Sequence, residues 1–162
     1  MSTLETIETA VRAVKQDDFL RALTIFHDIY GAEGAVPSQS PRAAAGLSYF
    51  GLCVALVNKK YKDAIDLCRR AIELEFYNGE HYANLARVYV AAGNRKKAIE
   101  AIESGLKVAS EDGYLLSVRD QMGVRAKPAV PFLDRANPIN VSFGQARHAK
   151  KARETKKDES ED

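Results

Sequence analysis

Apolar residues follow a helical period from the start of the chain to about residue 123. Ile7, Val11 and Val14 lie three or four positions apart, which places them on one face of a helix. A second apolar stripe runs from Phe19 to Tyr30 and is followed by Gly31, a residue type that commonly terminates helices. The pattern therefore predicts a first pair of helices within residues 4–30.

Five further helices are predicted downstream, separated by short polar turns. The segment GAEGAVPSQS has the composition of a loop, and Ser40 with Pro41 then has the pattern of an N-cap followed by a first-turn proline. The predicted helices cover residues 41–57, 61–76, 80–92, 95–109 and 114–122. No stretch of useful length alternates as a β-strand would, so the predicted fold class is all-α, with antiparallel helix pairs.

Two of these helices repeat one another. The segment YKDAIDLCRRAIEL aligns with RKKAIEAIESGLKV, which places Ala98 34 residues after Ala64. Each of these alanines is followed seven positions later by another small residue, Ala71 or Gly105. Seven positions are about two helical turns, so the small residues share one face, where a second helix can approach closely.

At this period the chain resembles the tetratricopeptide repeat family. In residues 79–112 the family positions are filled by Tyr82, Leu85, Ala86, Tyr89, Gly93, Ala98, Ile102 and Gly105. In residues 45–78 the matching residues are Tyr61, Ala64 and Ala71, with the first helix about one residue out of register, and in the first unit they are Ala10, Phe19, Ala22 and Phe26. The resemblance implies three helix hairpins in a short right-handed solenoid over residues 3–112, with residues 113–123 as a capping helix.

The remaining chain differs in composition, so we predict a repeat domain at 1–125 and an extended or disordered tail at 126–162. Residues 1–125 carry 16 basic and 16 acidic side chains, whereas residues 126–162 carry 8 basic and 6 acidic. Three tail prolines oppose a continuous helix. The tail also carries apolar residues that either dock on a surface or belong to a floppy linker. These residues are Phe132, Leu133, Ile139, Val141 and Phe143.

The sequence contains no pattern that predicts catalysis, a cofactor or a metal site. His27, His81 and His148 fall in different units or in the tail, and no HExxH, CxxC, GxSxG or phosphate-loop motif occurs. Cys53 and Cys68 are predicted to be buried thiols in a reducing cytoplasm. The sequence contains no pattern typical of a secretory signal and no apolar run of membrane-spanning length, so the predicted location is cytoplasmic.

The resemblance implies that the first helices of successive repeats line a concave groove that binds a peptide or protein. The groove residues carried over by alignment are Tyr49, Cys53, Ala83, Asn84, Arg87, Ala91, Ser117 and Gln121. Of the positions that clamp a peptide carboxylate in this family, only Asn84 fits, so that kind of binding is not predicted. A groove with one cation, Arg87, favours an apolar strand or helix with a nearby acid. Alternatively, Arg87 is a solvated helix residue.

The predicted function is therefore a non-catalytic scaffold for protein–protein interaction. One alternative is a dedicated secretion-type chaperone for an aggregation-prone client. Another is a nucleic-acid-associated accessory factor that acts through the basic tail. The tail cations are Arg147, Lys150, Lys151, Arg153, Lys156 and Lys157. Self-association is a further alternative, because solenoid ends and grooves can pair.

Overall fold

The computed structural model describes residues 3–31 and 43–123, and within these ranges it contains seven α-helices and no strand. The helices are α1 (Thr3–Lys15), α2 (Phe19–Tyr30), α3 (Leu47–Asn58), α4 (Tyr61–Leu74), α5 (Gly79–Ala91), α6 (Arg95–Val108) and α7 (Gly113–Gln121). The predicted all-α fold of stacked hairpins is confirmed. The tail residues proposed for docking and for nucleic-acid contact lie outside the described residues, as does the predicted cap at Ser40.

The start of α3 is the one clear difference from the predicted helix bounds. A 3-10 turn, Ala43–Gly46, precedes α3, which begins at Leu47 rather than near Pro41. Gly46 lies so close to the first hairpin that an added Cβ would be 2.5 Å from the Tyr30 hydroxyl and 2.9 Å from Ile7. This tight contact holds the turn against α1 and α2, and regular helix starts only after it.

Side-chain caps define where several helices begin. Asn78 and Asp112, one repeat of 34 residues apart, cap α5 and α7 by accepting hydrogen bonds from the Glu80 and Leu115 backbone amides at 3.1 and 2.8 Å. Asn94 caps α6 in the same way, accepting from the Lys97 amide at 3.1 Å. Each cap satisfies a backbone donor that has no partner within its helix.

Small residues lie where the helices of a hairpin touch. An added Cβ at Gly51 of α3 would be 2.8 Å from the Ala64 carbonyl oxygen of α4. At Gly105 of α6, a Cβ would be 2.6 Å from Cβ of Tyr82 in α5. Ala64, like Ala71 and Ala98, is fully buried. These contacts confirm the prediction that alanine and glycine allow close approach between paired helices.

An aromatic cluster joins the first hairpin to the second. The rings of Phe26 and Tyr30 in α2 lie 6.1 and 5.8 Å from the Phe50 ring in α3, between ring centroids. All three side chains are almost completely buried. Because aromatic side chains bury large areas, this cluster supplies a substantial part of the apolar stabilisation of the first hairpin.

Candidate binding site on the concave side

The predicted groove residues divide into a buried set and an accessible set. Tyr49, Cys53, Ala83 and Asn84 are at most 1% exposed, and they form a floor rather than an open groove. Arg87 and Ala91 are partly exposed, and Ser117 and Gln121 are exposed. The prediction that the floor residues face a partner directly therefore needs correction, because the chain itself covers them in this structure.

The end of α1 and one face of α7 approach each other above this floor. Tyr114 of α7 stacks on Tyr49, with ring centroids 6.1 Å apart, and covers it. Lys15 at the end of α1 lies 3.7 Å from the Glu80 carboxylate on α5, measured from Nζ to Oε1. A cavity of about 310 Å³, here called the concave cavity, remains between these helices. It is lined by Val14, Lys15, Asp17, Arg87, Tyr114, Val118 and Gln121.

Arg87 is the best-positioned polar side chain of the concave cavity. Its Nη1 donates a hydrogen bond to the Tyr114 hydroxyl at 2.7 Å, and its guanidinium carbon lies 5.9 Å from the centre of the Phe19 ring. The Tyr114 hydroxyl in turn donates to Asn84 Oδ1 at 3.0 Å. These contacts hold the cation at the cavity wall, where its remaining N–H groups can meet an acceptor.

A hydrogen-bonded network continues from Asn84 through the floor. Asn84 Nδ2 donates to Ser48 Oγ at 3.0 Å, and Ser48 Oγ lies 2.9 Å from His81 Nδ1. His81 Nε2 lies 3.2 Å from Glu75 Oε2, which also accepts from Asn78 Nδ2 at 3.1 Å. Burial lowers the pKa of His81, and the neighbouring Glu75 carboxylate opposes that shift. The network therefore links α3, α5, α7 and the α4–α5 turn with satisfied polar groups.

Ser48, His81 and Glu75 have the composition of a hydrolytic triad, but their burial favours a structural role. Ser48 and His81 are both 0% exposed, and neither lines the concave cavity. A nucleophile must reach the substrate, and Ser48 Oγ already accepts the Asn84 hydrogen bond. This network was not predicted from the sequence, because its members come from different repeat units. One sequence feature could have indicated the network. Two polar residues, Ser48 and His81, lie 33 positions apart in helices that are otherwise mostly apolar.

The two cysteines are free and buried, as predicted. Burial raises the pKa of the Cys53 thiol to about 12, with Arg87 opposing the shift, and burial also raises the pKa of Cys68. Both thiols are therefore protonated at neutral pH and have low reactivity. Across residues 3–31 and 43–123, no cluster of three His, Cys, Asp or Glu side chains could hold a metal ion, and no helix is long and apolar enough to span a membrane.

Comparison with known proteins identifies the repeats. The sequence model described as tetratricopeptide repeat matches residues 55–121, which comprise α4 to α7 and the last turn of α3. Residues 55–121 of this chain therefore match the tetratricopeptide repeat family. Among solved structures, it is similar to that described as "Crystal structure of MamA", with 20% sequence identity and a TM-score of 0.45, over 93% of this chain and 89% of that one. No curated protein matches the chain.

The match to tetratricopeptide repeats indicates what this kind of helix packing is generally used for. The fold is typical of protein–protein interaction modules that are not themselves catalysts. Stacked helix pairs leave a curved face on one side of a repeat array.

Proposed function

We propose that this tetratricopeptide repeat protein is a non-catalytic interaction module that binds a segment of a partner protein at the concave cavity. The observation that supports this most strongly is the position of Arg87, a partly exposed cation fixed at the cavity wall by Tyr114 and Phe19. An interaction site needs such an oriented polar group beside apolar surface.

The lining of the cavity favours a partner segment that combines an apolar residue with an acidic one. Val14 and Val118 provide apolar wall, while Lys15 and Arg87 provide positive charge and Asp17 provides one negative charge. A volume of about 310 Å³ lies at the small end of ligand pockets. It therefore suits one or two inserted side chains, while the rest of the partner segment lies across the exposed surface of α7.

A photo-crosslinking experiment tests this proposal. The photoreactive residue p-benzoylphenylalanine replaces Gln121, which is exposed and lines the cavity, in the full chain inside its native cells. We expect irradiation to produce discrete crosslinked species from position 121. Adding Arg87→Gln to the same chain should reduce their yield strongly, because the charge that orients the partner is gone.

The matched control places the same photoreactive residue at Glu103, which is exposed on α6 and does not line the cavity. Position 103 should give only weak, diffuse labelling. Equal labelling from both positions, or labelling at position 121 that Arg87→Gln does not change, would contradict the proposal.

Stoichiometry distinguishes a general module from the chaperone alternative. A dedicated chaperone should form one tight complex with a single aggregation-prone client, whereas a scaffold should give several crosslinked partners of moderate affinity. Mass spectrometry of the species crosslinked at position 121 separates these outcomes, because it identifies every partner that enters the same cavity.

A further inference from the structure

A second surface, away from the concave cavity, presents cations from α4 and α6, two helices that both pack on α5. Arg69 on α4 donates a hydrogen bond from Nη2 to the Tyr89 hydroxyl at 3.2 Å. Lys97 on α6 lies with its Nζ 5.8 Å from the centre of the same ring. Tyr89 is 5% exposed, whereas Arg69 and Lys97 are both exposed. One buried tyrosine on α5 therefore holds two cations together at the α4–α6 surface.

Neither of these cations is neutralised within the described part of the chain. Neither the Lys15–Glu80 nor the Arg119–Asp120 ion pair includes Arg69 or Lys97. The surrounding segments add to the positive charge. Residues 59–70 and 95–101 together contain eight basic and three acidic side chains. The acids are Asp63, Asp66 and Glu100, which leaves a net excess of five positive charges.

The helix dipole of α6 does not account for this charge. The first turn of α6 contains Arg95, Lys96 and Lys97 and no acid. Cations at a helix N-terminus interact unfavourably with the helix dipole. The helix dipole therefore disfavours this charge in the isolated chain, and an anion bound nearby would offset that effect.

We propose that the α4–α6 surface, formed by Arg69, Tyr89 and Lys97 with the adjoining basic turns, binds an acidic polypeptide segment. The guanidinium of Arg69 donates one N–H to the Tyr89 hydroxyl, and its other N–H groups can donate to a carboxylate. Lys97 supplies a second cation from α6, so carboxylates from neighbouring positions of one acidic segment can be bound together.

A protein partner fits this surface better than a nucleic acid. Binding of single-stranded nucleic acid usually uses exposed aromatic rings that stack on bases. At the α4–α6 surface the central ring, Tyr89, is buried beneath the two cations. The exposed aromatic residues Phe76 and Tyr77 follow the C-terminal end of α4, away from the basic turns. Tyr61, in the basic turn that begins α4, is only partly exposed and packs against the core.

Fluorescence anisotropy with the full chain tests the proposal. The probe is a labelled peptide of ten glutamates, compared with a ten-glutamine peptide, at about 50 mM salt, where exposed charges are weakly screened. We expect the glutamate peptide to bind and the glutamine peptide not to bind. The double variant Arg69→Gln with Lys97→Gln should weaken binding roughly tenfold or more, since both unpaired cations are lost.

A matched double variant controls for net charge. Arg12→Gln with Lys107→Gln removes two exposed cations from α1 and from the C-terminal end of α6. It should change the affinity less than about twofold, because these charges lie outside the α4–α6 surface. If both double variants weaken binding equally, or if neither does, the assignment to this surface is overturned, and in the second case the tail becomes the binding element.

Two further measurements complete the test. Tyr89→Phe keeps the ring but removes the hydroxyl that holds Arg69, so a smaller loss of affinity is expected, with unchanged helicity by circular dichroism. A labelled oligouridine should bind more weakly than the glutamate peptide. Tighter binding of oligouridine that the Arg69 and Lys97 variant abolishes would overturn the choice of partner.

Discussion

The floor and the wall of the concave side are built on the same helices but differ in exposure. On α5, Asn84 is fully buried and bonded to Ser48 and Tyr114, whereas Arg87, one turn later, is partly exposed at the cavity. The comparison teaches that a position in the repeat pattern indicates which way a side chain points, but not whether the surface it points toward is open. Floor residues should therefore determine stability, and wall residues should determine binding.

The largest effect is expected from removing a floor ring. Tyr49→Ala should lower the free energy of unfolding by about 3–5 kcal/mol, because it leaves a large cavity beneath Tyr114. Urea unfolding followed by circular dichroism measures the change. If Tyr49 lay in an open groove, the same substitution would cost well under about 1 kcal/mol.

The matched variant Tyr49→Phe tests whether the ring of Tyr49, rather than its hydroxyl, provides the stability. The Tyr49 hydroxyl is buried and has no hydrogen-bond partner among the described residues, although the Glu80 carboxylate is close enough to help burial raise the pKa of this group. Removing an unsatisfied buried hydroxyl should leave stability unchanged or raise it by up to about 1 kcal/mol. A marked loss of stability would show that this hydroxyl has a partner in solution.

A smaller loss is expected from breaking the floor network. Asn84→Ala removes the links to both Ser48 and Tyr114, so it should cost about 2–3 kcal/mol. The wall substitution Gln121→Ala should change the free energy of unfolding by less than about 0.5 kcal/mol. Equal costs for the two variants, measured in the same urea series, would remove the distinction between floor and wall.

Part of the pH dependence of the free energy of unfolding should come from His81, a residue of the floor network. Because the pKa of His81 is lowered by folding, the unfolded chain binds more protons than the folded chain below the ordinary histidine pKa of about 6.5. The contribution of His81 is therefore fully present above that pH and is lost as the pH falls through and below it. Urea unfolding at pH 7.5 and pH 5 should show a smaller difference for His81→Gln than for the unsubstituted chain.

Much of the architecture was predictable, because helix bounds depend on local signals. Apolar spacing placed the ends of most helices within two residues, and small residues such as Ala64 and Ala98 predicted the hairpin contacts. The exception, the start of α3, depends on a long-range contact of Gly46 with Tyr30 and Ile7 that no local pattern reveals.

The candidate site was predicted less completely, because the burial of a side chain depends on how neighbouring repeat units pack against one another. Arg87 and Gln121 line the concave cavity, and their assignment to a partner-binding groove stays a prediction. The lining residues Val14, Lys15 and Asp17 were not predicted, since the approach of α1 to α7 brings together residues about 100 positions apart. His81 escaped notice for the same reason, as its partners come from α3 and from the α4–α5 turn.

Thiol reactivity tests the division between floor and wall most directly, because Cys53 is itself a floor residue. In a Cys68→Ala background, we measure the rate at which the native protein reacts with a thiol-specific reagent, with and without Gln121→Cys. Cys53 should react at least roughly a thousandfold more slowly than the cysteine at position 121, because reaction requires the structure to open. Comparable rates for the two thiols in the folded protein would contradict a sealed floor beneath an accessible cavity.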